Sequence, residues 1–292
     1  RRLLSVTSTL LQLSRRNSNR EHNRIMLFKL TILGTASAMP ISDRNPSAQM
    51  LSVNGRLFLI DCGEGTQQQM RRSHLSFLKV EAIFISHIHG DHLFGLFGLL
   101  NSMAMYGRSA DLFIYGPAAL GPILKFYENF FGEGAQYNIV FVPVNCRQPE
   151  LVHTSKCVKV SAFPLKHKIE CYGWRFDEIV TPRHMAENPS YRGKSYAYCS
   201  DTMPFDELPK WVQGVNLLYH EATYMDEMAD KAEFRFHSTT LGAARCALQS
   251  GAGRLVVGHY SSRITDFDAF LAECRSVFPE TVAAQDGDII EF

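Results

Sequence analysis

The chain has 292 residues, of which 46% are hydrophobic and 20% are charged, and its formal net charge is +1. This composition is typical of a globular protein with a sizeable apolar core. No run approaches the roughly 18 apolar residues of a membrane span, so we expect no membrane partner. A net charge near zero neither indicates nor excludes a polyanionic partner; a nucleic-acid role would need a local basic face.

The first 26 residues differ from the rest of the chain. Arg1–Arg24 is rich in Arg, Ser and Leu, and its one acidic residue is Glu21. Transit peptides have such a composition, but Met26 directly precedes the first strand-like run, which favours residues translated from upstream of a start at Met26. We therefore predict an extension over 1–26 that is not part of the fold. Seven scattered cysteines without a CxxC pair indicate reduced thiols and a cytoplasmic location.

Short strands and helices alternate from residue 27 onwards. Apolar runs predict strands at Phe28–Leu33, Ala48–Val53, Leu57–Ile60, Ala82–Ile85, Leu112–Tyr115, Tyr137–Val144, Val158–Ala162, Cys171–Phe176, Tyr196–Cys199, Val215–Tyr219 and Leu255–Val257. Helices are predicted at Glu64–His74, after His92 to about Tyr106, and at Pro117–Phe131, Thr239–Gln249 and Phe267–Val277. The interleaving predicts one layered α/β domain over 27–292, with an irregular stretch at Val180–Lys194.

The segment that follows the strand at Ala82–Ile85 carries four potential metal ligands. His87 and His89 are two residues apart, which at the end of an extended segment places both imidazoles on one side. Gly90 permits the turn that brings Asp91 and His92 back toward the same point. Imidazole nitrogen and carboxylate oxygen are ligands that zinc accepts. A lone histidine is usually an ordinary surface or core residue, but this density after a buried strand indicates a metal site.

One turn cannot complete two tetrahedral sites, so more distant ligands are required. Candidates lie where a predicted strand ends in His or Asp, namely His167, Asp201 and His259. Ligands gather at strand ends in α/β sheets. The HIHGDH string resembles the HxHxDH signature of the metallo-β-lactamase superfamily. The resemblance implies a four-layer αββα sandwich with two Zn²⁺ per chain, one bound by His87, His89 and His167 and one by Asp91, His92 and His259, with Asp201 bridging them.

Four further strings resemble segments of the ribonuclease Z family. They are DCGEGTQ at 61–67, HEAT at 220–223, HST at 237–239 and GHYSSR at 258–263, and with the ligands they span residues 28 to 292 in the family's order. The resemblance implies an endoribonuclease that removes the 3′ trailer of precursor tRNA. Hydroxide attacks the phosphodiester, leaving a tRNA 3′-hydroxyl and a 5′-phosphorylated trailer. The family also implies a homodimer.

The reaction also needs proton transfers, and neither metal supplies the proton that the leaving alkoxide needs. Asp91 can orient or accept the proton of the attacking water while it binds metal. A histidine held by a carboxylate can protonate the leaving alkoxide. His237 with Glu221 fits this role, which the family resemblance also implies; the alternative is a structural ion pair. We interpret His220 as structural, since the ligand set is already full.

RNA contacts are expected from side chains near the predicted active edge. These candidates are Arg44, Thr66, Arg71, Lys166, Arg183, Arg192 and Lys194. The PISDRN string at 40–45 resembles the family's PxKxRN loop, with Ser42 in place of the Lys. Ribonuclease Z carries a long basic arm that clamps tRNA, and here only Val180–Lys194 stands in its position.

Two other functions are compatible with these patterns. A sibling hydrolase of small phosphodiesters or sulfate esters would suit a shortened arm, and a non-catalytic RNA-binding relative would keep the fold without the reaction. Complete ligands argue against the second of these. An RNA exonuclease with a β-CASP insert is not indicated, because no such insert is visible.

Overall fold

The computed structural model describes residues 28–292, except for the side chain of Arg183. The extension predicted over 1–26 lies outside the described residues. Most predicted elements are present, with ends that shift by a few residues. None of the helices among residues 28–292 is long and apolar enough to cross a bilayer.

The first sheet has seven strands in the order β14-β1-β2-β3-β4-β5-β6. Their bounds are β1 Phe28–Gly34, β2 Ala48–Val53, β3 Arg56–Ile60, β4 Val80–Phe84, β5 Leu112–Pro117, β6 Ile139–Val144 and β14 Ile289–Glu291. The strands from β14 to β3 pair antiparallel, whereas β3 to β6 pair parallel. The carboxyl ends of β3 and β4 therefore lie at the same edge.

The second sheet repeats this arrangement in the order β13-β12-β11-β10-β9-β8-β7. Its strands are β7 Glu150–Thr154, β8 Val158–Pro164, β9 Tyr172–Glu178, β10 Ser195–Cys199, β11 Leu217–Glu221, β12 Leu255–Gly258 and β13 Thr281–Ala283. The strands from β7 to β10 pair antiparallel and those from β10 to β13 pair parallel. Consequently β8, β10, β11 and β12 all run in one direction and end at one edge.

Helices connect these strands. They are α1 Thr66–Arg72, α2 Gly90–Leu93, α3 Leu96–Met105, α4 Leu120–Phe131, α5 Pro182–Glu187, α6 Leu208–Trp211, α7 Ala229–Arg235, α8 Thr240–Ser250 and α9 Phe267–Val277. The N-caps of the last two are side-chain oxygens: Thr239 Oγ1 accepts from Gly242 N at 3.1 Å and Asp266 Oδ1 from Ala269 N at 2.9 Å. Such caps satisfy N–H groups that a helix cannot pair internally.

Alternation along the strands creates three apolar layers. In β4, Phe84 packs between the two sheets whereas Ile83 faces α3 and α4. In β12, Val256 joins the layer between the sheets, and Val257 joins a third cluster under α8 and α9. This period of two buries both faces of each sheet. The result is the predicted four-layer αββα sandwich, in which burial stabilises each large side chain by about 1.5–3 kcal/mol.

The stretch Val180–Lys194 is short but not irregular throughout. It contains α5, which Thr181 caps by accepting from His184 N at 3.4 Å, while Thr181 N donates to His184 Nδ1 at 3.2 Å. The stretch joins β9 to β10 and returns at Lys194, whose backbone N donates to Glu178 Oε2 at 2.8 Å. It therefore lies at the opposite end of β10 from Asp201.

Candidate metal centre

Seven predicted ligands converge where the two sheets meet at one edge. His87, His89, Asp91 and His92 follow β4, and His89 keeps an extended backbone so that α2 begins at Gly90. A Cβ on Gly90 would lie 2.3 Å from the ring of Phe94, an exposed side chain that would have to rotate away. The other three follow strands of the second sheet: His167 after β8, Asp201 after β10 and His259 after β12.

Four side chains form the first group, called site A: His87, His89, His167 and Asp201. His89 Nδ1 lies 3.0 Å from His87 Nε2 and 3.2 Å from His167 Nε2. Asp201 Oδ2 lies 3.6 Å from His87 Nε2 and 3.8 Å from His167 Nε2. Each side chain therefore points one ligand atom at a common centre.

Site B consists of Asp91, His92, Asp201 and His259. His92 Nε2 and His259 Nε2 are 3.3 Å apart. Asp201 Oδ1 lies 3.3 Å from His92 Nε2 and 3.2 Å from His259 Nε2. Asp91 Oδ2 lies 3.6 Å from His92 Nε2 and 3.4 Å from His259 Nε2. The two oxygens of Asp201 thus face different groups.

These separations fit tetrahedral metal sites. Bonds of about 2.0–2.2 Å place the ligand atoms of a tetrahedron roughly 3.3–3.6 Å apart. Asp201 Oδ1 is buried and has no hydrogen-bond partner among the described residues, which is costly without a cation nearby. The five imidazole nitrogens and three carboxylate oxygens therefore form a donor set that metal ions fit.

The second ring nitrogen of four imidazoles is held by a neighbour. The partners are Ser86 Oγ for His87 at 3.0 Å, Asp61 Oδ2 for His92 at 2.7 Å, the Phe236 carbonyl for His167 at 3.0 Å and Thr223 Oγ1 for His259 at 2.9 Å. Such partners fix the orientation and tautomer of a metal-binding histidine. In these four residues Nδ1 is engaged, which leaves Nε2 for the centre.

The electrostatics of the group suit a cation. Burial lowers the pKa values of His87, His89 and His167, so these imidazoles are neutral, as ligands must be. Burial would raise the pKa of Asp201, but His259 and His92 hold it well below its usual range. Burial would also lower the pKa of His92, but Asp201, Asp91 and Asp61 raise it well above its usual range. Metal binding would displace that proton.

Asp61, the first residue of the DCGEGTQ string, is a residue of the site to which the sequence analysis gave no role of its own. It follows β3, is fully buried, and its carboxylate accepts hydrogen bonds from Ser86 N at 2.7 Å, Ser86 Oγ at 2.8 Å, Tyr198 OH at 2.7 Å and His92 Nδ1 at 2.7 Å. It thus joins the turn after β4 to the second sheet. Its position at a strand end was the available signal.

We expect Asp61→Asn to lower metal affinity about 10- to 100-fold, because the amide keeps the shape but weakens the support of His92. Titration of the metal-free protein with Zn²⁺ measures this. Asp111→Asn, at an exposed carboxylate, is the control and should bind as the unchanged protein does. An unchanged affinity in a folded Asp61→Asn protein would contradict the role.

Glu221 and His237 form an ion pair beside site B. Glu221 is fully buried, and its Oε1 accepts from His237 Nδ1 at 2.9 Å. Burial would lower the pKa of His237, but Glu221 raises it to about 9. Thr223 Oγ1 donates to Glu221 Oε2 at 2.7 Å and contacts His259 Nδ1 at 2.9 Å. One hydroxyl therefore links the ion pair to the ligands. His220 is buried and its Nδ1 lies 2.7 Å from the Glu221 carbonyl oxygen; its structural role stays a prediction.

An open cleft of about 570 Å³ exposes the site. Asp91, Asp201, His237 and His259 line it, together with four cations that flank them: Lys168, Lys231, Arg235 and Arg263.

Two predicted RNA contacts are wrong. Arg44 is buried, its guanidinium lies 5.8 Å from the Tyr260 ring centre and 5.5 Å from that of Phe267, and it donates to the Ile264 carbonyl at 3.5 Å. Thr66 is also buried, and its Oγ1 donates to the Gly63 carbonyl at 2.7 Å. Both side chains hold loops together and are inaccessible to a substrate.

Four other predicted contacts do not line the cleft. Arg71 bonds to Tyr106 OH and lines a separate pocket. Lys166 lies with Nζ 4.8 Å from the Phe205 ring centre. Arg192, which is exposed, and Lys194 belong to the β9–β10 connection, and the Arg183 side chain lies outside the described residues.

Comparison with known proteins agrees with this architecture. A family model described as a beta-lactamase superfamily domain matches residues 56–260. The two sheets, the flanking helices and the His/Asp cluster thus define a metallo-β-lactamase-fold hydrolase, as predicted.

More specific relatives cover about nine tenths of the chain. The ribonuclease Z of Bacteroides fragilis is 36% identical over 295 aligned residues, covering 89% of this chain and 97% of that protein. That of Porphyromonas gingivalis is also 36% identical, with the same coverage. The structure of human tRNase Z, short form, matches with a TM-score of 0.74 and 30% identity, covering 90% of this chain and 98% of that one. This chain belongs to the ribonuclease Z family.

This chain is shorter than the Bacteroides fragilis relative within the aligned region. The alignment has 295 positions, which is more than the number of residues in 89% of this 292-residue chain. The relative therefore carries residues within the aligned range that this chain lacks.

Proposed function

We propose that this chain is a zinc-dependent endoribonuclease that removes the 3′ trailer of precursor tRNA, leaving a tRNA 3′-hydroxyl and a 5′-phosphorylated trailer. The observation that carries the proposal is the position of the Glu221–His237 pair beside two ligand groups that share Asp201, at the floor of an open cleft lined with cations. The ribonuclease Z name of the relatives supports the choice of substrate.

Two zinc ions would bind at sites A and B, with Asp201 serving both. A zinc pair of this kind lowers the pKa of water and neutralises charge on phosphoryl oxygens. The protein contributes rigidity, because hydrogen bonds hold the imidazoles before any ion binds. Preorganised groups need little reorganisation during the reaction.

Asp91 orients the attacking water. Its Oδ2 accepts the Ala38 N–H at 2.7 Å, which fixes the carboxylate at the mouth of the cleft. A carboxylate held by one backbone donor still has lone pairs for a water proton. Asp91 thus combines ligation at site B with general-base character.

His237 donates a proton to the departing 3′-oxygen. Glu221 holds Nδ1, so Nε2 carries its proton toward the cleft that His237 lines. Because the Glu221 carboxylate accepts from Nδ1, it favours the protonated imidazole, which can serve as the acid when the P–O bond breaks.

Mapping the cleavage position on a precursor tRNA with a defined trailer tests the function. We expect a single cut after the discriminator nucleotide, with 3′-hydroxyl and 5′-phosphate ends, and activity that chelation abolishes and Zn²⁺ restores. Bis(p-nitrophenyl) phosphate is assayed in parallel. Efficient hydrolysis of that diester without cleavage of precursor tRNA would instead identify a small-ester hydrolase.

The Val180–Lys194 connection is proposed to supply tRNA affinity as a shortened arm. The shorter length of this chain within the alignment is consistent with it. Arg192→Gln with Lys194→Gln is expected to raise KM for precursor tRNA and to flatten its salt dependence, because fewer phosphate contacts are formed. Steady-state kinetics at several salt concentrations measure this.

The control is Lys125→Gln, which removes an exposed cation on α4. Turnover of bis(p-nitrophenyl) phosphate should stay constant in all these variants. Loss of that turnover in the double variant would mean that the connection supports the site instead. A homodimer also remains a prediction, and sedimentation equilibrium would determine the oligomeric state.

A further inference from the structure

A basic patch lies beside the Glu221–His237 pair; it consists of Lys168, Lys231, Phe234, Arg235 and Arg263. Lys168, Lys231, Arg235 and Arg263 line the cleft, and none of these side chains forms a salt bridge with a carboxylate among the described residues. Unpaired cations grouped in a cleft raise the local concentration of an anionic ligand. The patch therefore fits an anion larger than a single phosphate.

Phe234 is the apolar centre of this patch. Its side chain is 72% exposed, with Lys168 Nζ 5.6 Å and Arg235 Cζ 5.8 Å from the ring centre. Both cations lie over the ring as cation–π partners, and an exposed aromatic ring in a basic groove is what proteins use to stack a nucleobase near its phosphates. A base that stacks on Phe234 would displace one of these cations toward a phosphate, whereas an acidic peptide would use the cations but not the ring.

The patch is rigidly connected to the reaction centre. Phe236 is the C-cap of α7 and has a left-handed backbone with φ 61°. Its carbonyl oxygen accepts from His167 Nδ1 at 3.0 Å. The next residue, His237, is fixed by Glu221. Both anchors lie within three residues of Phe234, so its place relative to the cleft is determined by the site itself.

We propose that Phe234, with Lys168 and Arg235, is a stacking site for the unpaired base on the 5′ side of the scissile phosphate. The proposal rests on the proposed function, in which His237 protonates the 3′-oxygen of that same nucleotide. Because α7 leads directly into His237, the nucleotide that carries the leaving oxygen is the one nearest to the patch. We expect little preference for one base over another, since every base has a π-face that can stack.

The test uses the zinc-loaded enzyme and an RNA stem with a 3′ overhang and a methylenephosphonate at the cleavage position, which cannot be hydrolysed. A 2-aminopurine is placed either 5′ or 3′ of that linkage. We expect the fluorescence of the 5′ 2-aminopurine to be quenched when the RNA binds. Phe234→Ala should abolish this quenching and weaken RNA binding about 5- to 150-fold. Phe234→Trp should retain both.

Phe130→Ala is the matched control, because Phe130 is 69% exposed but lies on α4. Unchanged quenching in Phe234→Ala, or quenching of the 3′ probe alone, would overturn the inference. Cleavage of precursor tRNA by the unchanged enzyme is measured separately. If that cleavage fails while the Phe234-dependent quenching persists, the stacking site stands and the proposed substrate does not.

Discussion

His237→Ala is expected to lower kcat on precursor tRNA by about 10²–10⁴, the range typical of a lost general acid. The same change should leave hydrolysis of bis(p-nitrophenyl) phosphate within a small factor. A ribose 3′-alkoxide is strongly basic and needs a proton in the transition state, whereas p-nitrophenolate leaves without one. Steady-state kinetics on the two substrates measure the difference, with zinc content determined for each sample.

Glu221→Gln should show the same selectivity with a smaller loss, because it weakens the orientation of His237 without removing the imidazole. Zinc content should stay unchanged in both variants, since neither side chain belongs to site A or site B. If His237→Ala slows both substrates equally while zinc is retained, His237 positions the phosphate or the metals, and the proton comes from elsewhere.

Asp201→Ala is expected to remove more metal than His167→Ala. Asp201 contributes one oxygen to each site, whereas His167 contributes only to site A. Loss of Asp201 therefore weakens the binding of both ions and should abolish turnover of both substrates. The His167→Ala variant should first lose the ion at site A. Zinc per chain after dialysis against a weak chelator measures this.

Asp206→Ala, at an exposed carboxylate five residues further along, is the matched control and should keep its full metal content. Circular dichroism confirms that each variant is folded. Loss of a single ion to the same extent in Asp201→Ala and His167→Ala would exclude a bridging carboxylate.

Strand ends explain why so much of the site was predictable. Each proposed ligand of the second sheet follows its strand by three residues or fewer, and the four of the first sheet follow β4 in one turn. A buried strand is readable from its apolar run, and a polar residue that comes directly after it must lie at the sheet edge. The ring nitrogen that a histidine turns toward the metal site depends on hydrogen-bond partners such as Asp61 and Thr223. The spacing of residues in the sequence does not predict these partners.

Other features depend on contacts between distant parts of the chain. Arg44 is buried because Tyr260 and Phe267, more than 200 residues later, cover it. Pro117 was expected to open a helix, but pairing with Val144 extends β5 to this residue, and α4 begins at Leu120. β13 and β14 are too short for a periodic signal, and β7 is largely polar. In the sequence the cations of α7 cannot be distinguished from those on any solvent-exposed helix, because the cleft beside them is visible only in the structure.

The strand order has a consequence for synthesis on the ribosome. Four of the seven proposed ligands emerge by residue 92, yet the sheet that carries them closes only when Ile289–Glu291 pair with β1. Throughout synthesis of the second sheet, β1 keeps an unpaired edge, and open edges recruit strands from other chains. The edge of β1 is therefore open to strands of other chains until Ile289–Glu291 pair with it.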